Sequence, residues 1–235
     1  MSNEAVETFE IERKYEVAAA AQLPTARAFE EAGFDSVASA HHALTATYFD
    51  THDRVLARNR LALRTRSGGK DDGWHLKVKG DGGLRELLWP VSAEIPEAVL
   101  AAVRDRVGDA ADRLVPMAEL STARAVVLLR ARDGRGEVEI ADDAVRACDL
   151  SEGVRRAWRE WEAELGEGAD PALLDALEPV LLAAGATHSL SFAKAARAGG
   201  QLLNIARAAG ADAERIAALE RLDASDREAA RRLEA

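Results

Sequence analysis

Apolar and charged residues take turns along the first stretch of the chain. Phe9, Ile11, Tyr15 and Val17 fall on one face of a β-strand, and Glu10, Glu12, Lys14 and Glu16 on the other. The same period of two predicts strands near 7–17, 44–51, 60–67, 73–80, 84–91, 120–131, 135–141 and 157–166, with a short one near 144–149. Gly/Asp turns separate several of them, at 67–73, at Gly80-Asp81-Gly82-Gly83 and at Asp133-Gly134-Arg135-Gly136, short enough to join antiparallel neighbours as hairpins. Helical spacing marks 22–32, 96–107 and 170–184, and Asp170-Pro171 offers an N-cap followed by proline at the first helical position. Beyond Gly199-Gly200 the chain is rich in Ala, Arg and Glu and almost lacks β-branched and aromatic residues, which predicts weakly packed helix. The expected organisation is one functional domain over 1–198 and a helical C-terminal extension over 199–235.

Composition narrows this picture only a little. With 235 residues, 48% of them hydrophobic and 31% charged, the chain reads as an ordinary soluble globular protein able to bury a sizeable core. A net charge of −10 argues against non-specific nucleic-acid binding, which needs a basic surface. One cysteine, Cys148, excludes an intrachain disulfide, and no Cys/His cluster has zinc spacing. No signal peptide and no run of about 18 apolar residues is present, so the expected location is the cytoplasm, with no membrane partner.

The charged strand faces change the picture most. Arg64 and Arg66 share one face of their strand, as do His75, Lys77 and Lys79 of the next. Arg85-Glu86 opens a further strand and Arg124 lies in another. Glu137 and Glu139 alternate into Asp142-Asp143, and Glu160, Glu162 and Glu164 line one face with Trp161, Ala163 and Leu165 behind them. A merely solvated face mixes signs and carries Ser, Thr and Gln. Here the first and last strands are acidic and the middle ones basic. Aligned carboxylates repel unless cations lie between them. Closing such a sheet brings acidic and basic strands together around a polar bore, and hard-oxygen ligands beside cations suit a metal holding an anionic substrate.

These segments together resemble the CYTH family, also called triphosphate tunnel metalloenzymes. Glu10, Glu12 and Lys14 match its N-terminal Glu-x-Glu-x-Lys, Tyr48-Phe49-Asp50-Thr51 is similar to its Tyr-Phe-Asp-Thr strand end, and Leu63-Arg64-Thr65-Arg66 to its Leu-Arg-x-Arg. Trp74-His75-Leu76-Lys77, Arg85-Glu86, Arg124, Asp142-Asp143 and Glu160-Trp161-Glu162-Ala163-Glu164 follow in family order, with Lys194 at the final lysine, over about residues 7–197. The chain departs from the family in Ser191-Phe192-Ala193-Lys194, which replaces a Ser-Lys pair, and in Lys79, where relatives often carry proline. The tail shows no motif of the helical CHAD domain found in some relatives.

The resemblance implies an α+β fold, an eight-stranded antiparallel β-barrel forming an open tunnel with helices packed outside. It also implies a divalent-metal-dependent hydrolase of triphosphates, with inorganic triphosphate split to pyrophosphate and phosphate as the first choice. A nucleoside or thiamine triphosphatase comes second. An adenylyl cyclase, or a non-catalytic polyphosphate- or nucleotide-binding module, stays open, as does a homodimer. In that reading Lys14, Arg64, Arg66, Lys77, Lys79, Arg85, Arg124 and Lys194 hold phosphoryl oxygens. Mg²⁺ or Mn²⁺ is held from among Glu10, Glu12, Asp142, Asp143, Glu160, Glu162 and Glu164, and Glu10, Glu12 and Lys14 are the catalytic set. By parity Trp74 and Trp161 point away from the charged face, which favours bare triphosphate over a substrate needing a stacking wall. His41-His42, His188 and Cys148 read as surface or packing residues, Asp50-Thr51-His52-Asp53 as a turn with Asx-type bonding, and His75 as either exposed or in contact with substrate.

Overall fold

The computed structural model describes residues 5–80 and 83–234, so Asp81 and Gly82 of one expected turn lie outside the described residues. The strands are β1 (Val6–Glu10), β2 (Glu12–Glu16), β3 (Phe34–Asp50), β4 (Leu61–Ser67), β5 (Gly73–Gly80), β6 (Gly83–Trp89), β7 (Val115–Ala131), β8 (Glu137–Asp149), β9 (Arg155–Leu165) and β10 (Thr187–His188). They form one antiparallel sheet in the order β1-β6-β5-β4-β3-β7-β8-β9-β2-β10. The expected closed eight-stranded barrel is thereby corrected to a ten-stranded sheet that its ladder does not close. The reason lies at Ile11. The N-terminal segment pairs with β6 through Val6–Glu10 and with β9 through Glu12–Glu16, so one residue of covalent chain, not a ladder, joins the two ends. The sheet still curls. Lys70, in the β4–β5 turn, reaches across to Glu139 of β8 at 2.5 Å.

Other differences from the expected strands are physical too. β3 begins ten residues before the predicted 44, because the Ser/Ala/His stretch 34–43 lacks alternation and is held by pairing with β7 alone. The two predicted segments 135–141 and 144–149 are one continuous strand, β8, since Asp142 and Asp143 both pair in its ladders. In the β4–β5 turn, Gly68 has φ +93°, and a Cβ there would lie 2.0 Å from the Ala43 carbonyl oxygen; only glycine lets the turn fold back this close.

The outer face of the sheet carries two apolar clusters. Tyr15, Leu129, Ile140 and Trp161 pack against Phe29 of α1 (Ala26–Glu31) and Leu173, Leu177 and Leu181 of α4 (Ala172–Ala183). Leu61, Leu63, Trp74, Leu76 and Trp89 pack against Val99 and Val103 of α3 (Glu97–Val107) and Leu56 of α2 (Val55–Arg58). Each large side chain buried this way contributes about 1.5–3 kcal/mol. Asp50 caps α2 from the preceding strand end, its carboxylate accepting from Leu56 N at 2.8 Å and Ala57 N at 3.1 Å, so it reaches past the 50–53 turn to the helix instead of closing an Asx turn. Asp170 accepts from Ala172 N at 2.9 Å at the start of α4.

A third cluster lies inside the curl. Tyr48, Leu120, Val145 and Trp158 meet Ala195 and Ala198 of α5 (Lys194–Ala198), which thus stops one end of the interior. The chain continues as α6 (Leu202–Ala208) and α7 (Ala213–Glu234), and α7 packs on β9. Contrary to the expected weak packing, Arg156 reaches Asp223 at 2.7 Å and Arg197 binds Asp226, with both arginines buried. Among the described residues no helix is long and apolar enough to cross a membrane.

Candidate active site

Period-2 parity puts Glu10, Glu12, Lys14, Arg64, Arg66, Lys77, Arg124, Asp143, Glu160, Glu162 and Glu164 on the inner face of the curl. Three carboxylates there, Asp143, Glu160 and Glu162, present oxygens within 4.8 Å of one another, and all three residues are buried. Cations surround them. Arg124 donates through Nε and Nη2 to Asp143 at 2.7 and 2.6 Å, and through Nη2 to Glu162 at 2.7 Å. Lys194 Nζ lies 3.0 Å from Asp143, 2.5 Å from Glu160 and 2.7 Å from Glu162. Lys14 pairs with Glu162 and, at 2.9 Å, with Glu12. Burial alone would raise the Glu162 carboxyl, but Lys14, Lys194 and Arg124 hold it well below its ordinary range. Asp143 is likewise lowered by Lys194 and Arg124 against its burial. Burial works against the charge of Lys194 as well, yet the three carboxylates hold its ammonium well above the ordinary lysine range.

The opposite wall is built on β4, β5 and β6. Lys77 Nζ lies 2.6 Å from Glu10 and 3.5 Å from Glu86. Arg64 donates to the Tyr48 hydroxyl at 3.2 Å and sits 3.5 Å from Glu86. His75 is buried, with Nδ1 2.9 Å from Glu86 and Nε2 2.8 Å from the Asp71 carbonyl oxygen, so neither exposure nor a free ring describes it. Arg66 bonds Asp71 of the β4–β5 turn at 3.2 Å. The Nε atoms of both Arg64 and Arg66 are buried and, among the described residues, have no hydrogen-bond partner.

Acids at the seam are poised differently. Burial, reinforced by Glu86 and Glu164 and only partly opposed by Lys77, pushes Glu10 up to about 8. Burial and the neighbouring Glu12 raise Glu164. Positive charge brought to this group would return both to the ordinary carboxylate range. At the acidic trio, Glu160 Oε1 receives no directed hydrogen bond and meets only the charge of Lys194. Three buried hard-oxygen donors clustered in this way fit Mg²⁺ or Mn²⁺.

Most predicted site residues therefore come together: Glu10, Glu12, Lys14, Arg64, Arg66, Lys77, Arg124, Asp143, Glu160, Glu162, Glu164 and Lys194. Lys79 shares their face but stands exposed at a mouth, its Nζ 5.4 Å from the Phe192 ring. Two predicted residues are not brought in. Arg85 is exposed on the outer face and pairs with Glu7 at 2.9 Å. Asp142 also points outward, to Arg159. The pleat turns each away, and their neighbours Glu86 and Asp143 take the inward places. Among histidines, His41 is exposed as expected, but His42 is half-buried on the inner face beside Arg124 in the ladder, with Nε2 lacking a hydrogen-bond partner.

Several inward residues had no role in the sequence reading: Tyr48, Glu86, Trp158 and Arg197. Burial alone would raise the Tyr48 hydroxyl, yet Arg64, Lys194 and Lys77 lower it below the ordinary tyrosine value. Tyr48 carried a usable signal, since it shares strand parity with Ala46 and His42. Glu86 did not, because Leu84, Leu87, Leu88 and Trp89 leave its strand without alternation.

The chain that carries this constellation is similar to known proteins. Two uncharacterized proteins, from two strains of Mycobacterium tuberculosis, are each 36% identical over 213 residues, and the match covers 80% of this chain. The match spans only 39% of the length of these relatives. Among solved structures, a candidate adenylate cyclase of Bacillus halodurans superposes with a TM-score of 0.53 at 21% identity, over 81% of this chain and 97% of its own, which shows a shared fold. Residues 8–198 match the CYTH domain, and the chain belongs to the CYTH family of triphosphate tunnel metalloenzymes.

Proposed function

We propose that the chain is a divalent-metal-dependent hydrolase of triphosphates, with inorganic triphosphate, split to pyrophosphate and phosphate, as its first substrate. One observation carries this reading. A buried carboxylate trio stands in the same interior as Arg64 and Arg66, whose Nε donors are unsatisfied, so metal-type and phosphate-type donors share one site. Asp143, Glu160 and Glu162, with Glu10, Glu12 and Glu164 beside them, would hold Mg²⁺ or Mn²⁺, which would supply Lewis-acid charge to phosphoryl oxygens and make bound water more acidic.

The chain's own groups do the rest. Arg64, Arg66 and Arg124 present guanidinium forks to phosphoryl oxygens, and Lys77 and Lys14 add point charge. Tyr48, held by Arg64, offers a hydroxyl to the same anion. The apolar floor of Leu120, Val145 and Trp158 excludes water behind it. Hydrolysis joins a water oxygen to the terminal phosphorus as its bond to the bridging oxygen breaks, and fixed positive charge that needs no reorganisation favours that transition state.

Trp158 is occupied by Arg197 and Glu160, so it is not available to stack a nucleobase. Phe192 is the exception, 43% exposed beside Lys79 at the mouth, and it keeps a nucleoside triphosphatase as the second reading. The deciding experiment is phosphate release from inorganic triphosphate, ATP and thiamine triphosphate, each with Mg²⁺, Mn²⁺ or EDTA. Turnover of inorganic triphosphate that disappears with EDTA and in Glu160→Gln/Glu162→Gln supports the first reading. Preference for ATP that is lost in Phe192→Ala supports the second. Tight triphosphate binding with no turnover under any condition would leave a binding module.

A further inference from the structure

Glu160 has two oxygens in different situations. Oε1 faces the acidic trio, where Lys194 Nζ lies 2.5 Å away as its ion-pair partner. Oε2 is held from behind: it accepts from Trp158 Nε1 at 3.0 Å and lies 3.7 Å from Arg197 Nη1. The Arg197 guanidinium also covers the Trp158 ring at 4.7 Å, so both groups behind Oε2 are locked to each other.

Arg197 is 2% exposed and is itself fixed at both ends. Nη1 donates to both oxygens of Glu16 at 2.9 Å, and Nε and Nη2 form a fork onto Asp226 at 2.8 and 2.9 Å. Asp226 is 3% exposed and belongs to α7, beyond the residues that match the CYTH domain. A bidentate, buried pair of this kind fixes a guanidinium in orientation as well as in place.

We infer that Arg197, oriented by Asp226 of the C-terminal helix, is a positioning residue that aims Glu160 Oε1 at a divalent cation. This deepens the proposed function and rests on its metal-holding role for Glu160. Groups that hold the far oxygen of a metal-binding carboxylate set its direction, and their loss typically weakens metal binding by about 10–100-fold. The C-terminal extension is then part of the site's machinery.

The same helix provides an internal control. Asp223 also ties α7 to the sheet, through Arg156 at 2.7 Å, and its ion-pair partners are Arg156 and Arg227 rather than Arg197. The experiment measures Mn²⁺ affinity of the full chain from the electron paramagnetic resonance of free Mn²⁺, alongside thermal unfolding. Asp226→Asn is expected to weaken Mn²⁺ binding by about tenfold or more, with recovery in Asp226→Glu. Trp158→Phe, which releases Oε2 from the other side, shifts affinity in the same direction. Asp223→Asn lowers Tm and leaves the Mn²⁺ Kd unmoved. Equal shifts in Asp223→Asn and Asp226→Asn, or no shift in Asp226→Asn, would reduce Asp226 to a docking residue and overturn the inference while the metal site stands. Should Asp226→Asn fail to fold, an unmoved Kd in Trp158→Phe overturns it instead. Failure of the wild-type chain to bind Mn²⁺ at all would overturn the metal reading itself.

Discussion

The outer and inner faces of the sheet are made by the same strands, and both carry ion pairs, yet the pairs differ in kind. Asp142 and Asp143 show it at neighbouring positions. Asp142 faces outward, where Arg159 binds it and also reaches the Ala19 and Ala21 carbonyl oxygens, tying a loop to the sheet. Asp143 faces inward, has no exposed surface, and shares Arg124 with Glu162 and Lys194 with Glu160 and Glu162. Arg85 and Glu86 repeat the contrast. The Arg85–Glu7 pair is more than half exposed and, like other surface pairs, contributes about 0–1 kcal/mol. Glu86 is buried between His75, Lys77 and Arg64, and the His75 hydrogen bond together with the charges of Lys77 and Arg64 holds its carboxyl below the ordinary range despite burial. Desolvating so many charges is costly, and replacing them with apolar residues would stabilise many folds. Inner charges kept at that cost are explained by a ligand, and outer ones by local tethering.

The sharpest break of this contrast is Asp143→Asn against Asp142→Asn. Loss of Asp143 is expected to lower metal-dependent phosphate release by about 10²–10³-fold, the usual scale for removing a preorganised charged group. Asp142→Asn stays within about twofold of wild type, as an outer pair of modest energy implies. Comparable losses in both would erase the distinction between faces. Thermal or urea unfolding tests the outer face from the other side. Leu177→Ala, in the core under α4, is expected to cost about 2–5 kcal/mol of stability while kcat/KM of the folded fraction is retained.

A smaller effect separates Arg64 from Arg85. Arg64→Ala removes a charged donor worth about 1.5–3 kcal/mol, so kcat/KM for inorganic triphosphate falls by about 10–100-fold. Arg85→Ala leaves it unchanged, and steady-state kinetics on the two variants settles the matter.

The subtlest readout uses the only two tyrosines, one on each face. Burial, with Glu178 at 3.2 Å, pushes the outer Tyr15 up to about 12, whereas Arg64, Lys194 and Lys77 outweigh burial and lower the inner Tyr48 below 10. Absorbance at about 295 nm is expected to rise in two steps, the first absent in Tyr48→Phe and the second in Tyr15→Phe. The linked stabilities have opposite sign. Tyr48 adds stability as pH rises from its folded value to the unfolded value near 10, and Tyr15 loses its contribution as pH rises from near 10 through about 12. A single step at the ordinary tyrosine value would contradict the electrostatic difference between faces.

Strand parity is a local property, and the sequence alone determined what depends on it. Alternation placed Glu10, Glu12 and Lys14, Arg64 and Arg66, Lys77, and Glu160, Glu162 and Glu164 on charged faces, and put Trp74 and Trp161 behind them. The order of these segments was enough to indicate the family. Where alternation fails, only the tertiary structure decided. Leu84–Trp89 is apolar on both parities, so nothing local told Arg85 from Glu86, and two adjacent aspartates gave no local reason to prefer Asp143. The break at Ile11, which turns an expected closed barrel into a ten-stranded sheet joined by chain, depends on β6 and β9 arriving from far along the sequence. Lys194 and Arg197 come from a short helix with no strand pattern, and they reach the acidic trio because α5 stops one end of the interior and α7 anchors it through Asp226. Periodicity assigns a face to a residue; burial and charge pairing arise only when residues distant in sequence are brought within a few ångströms.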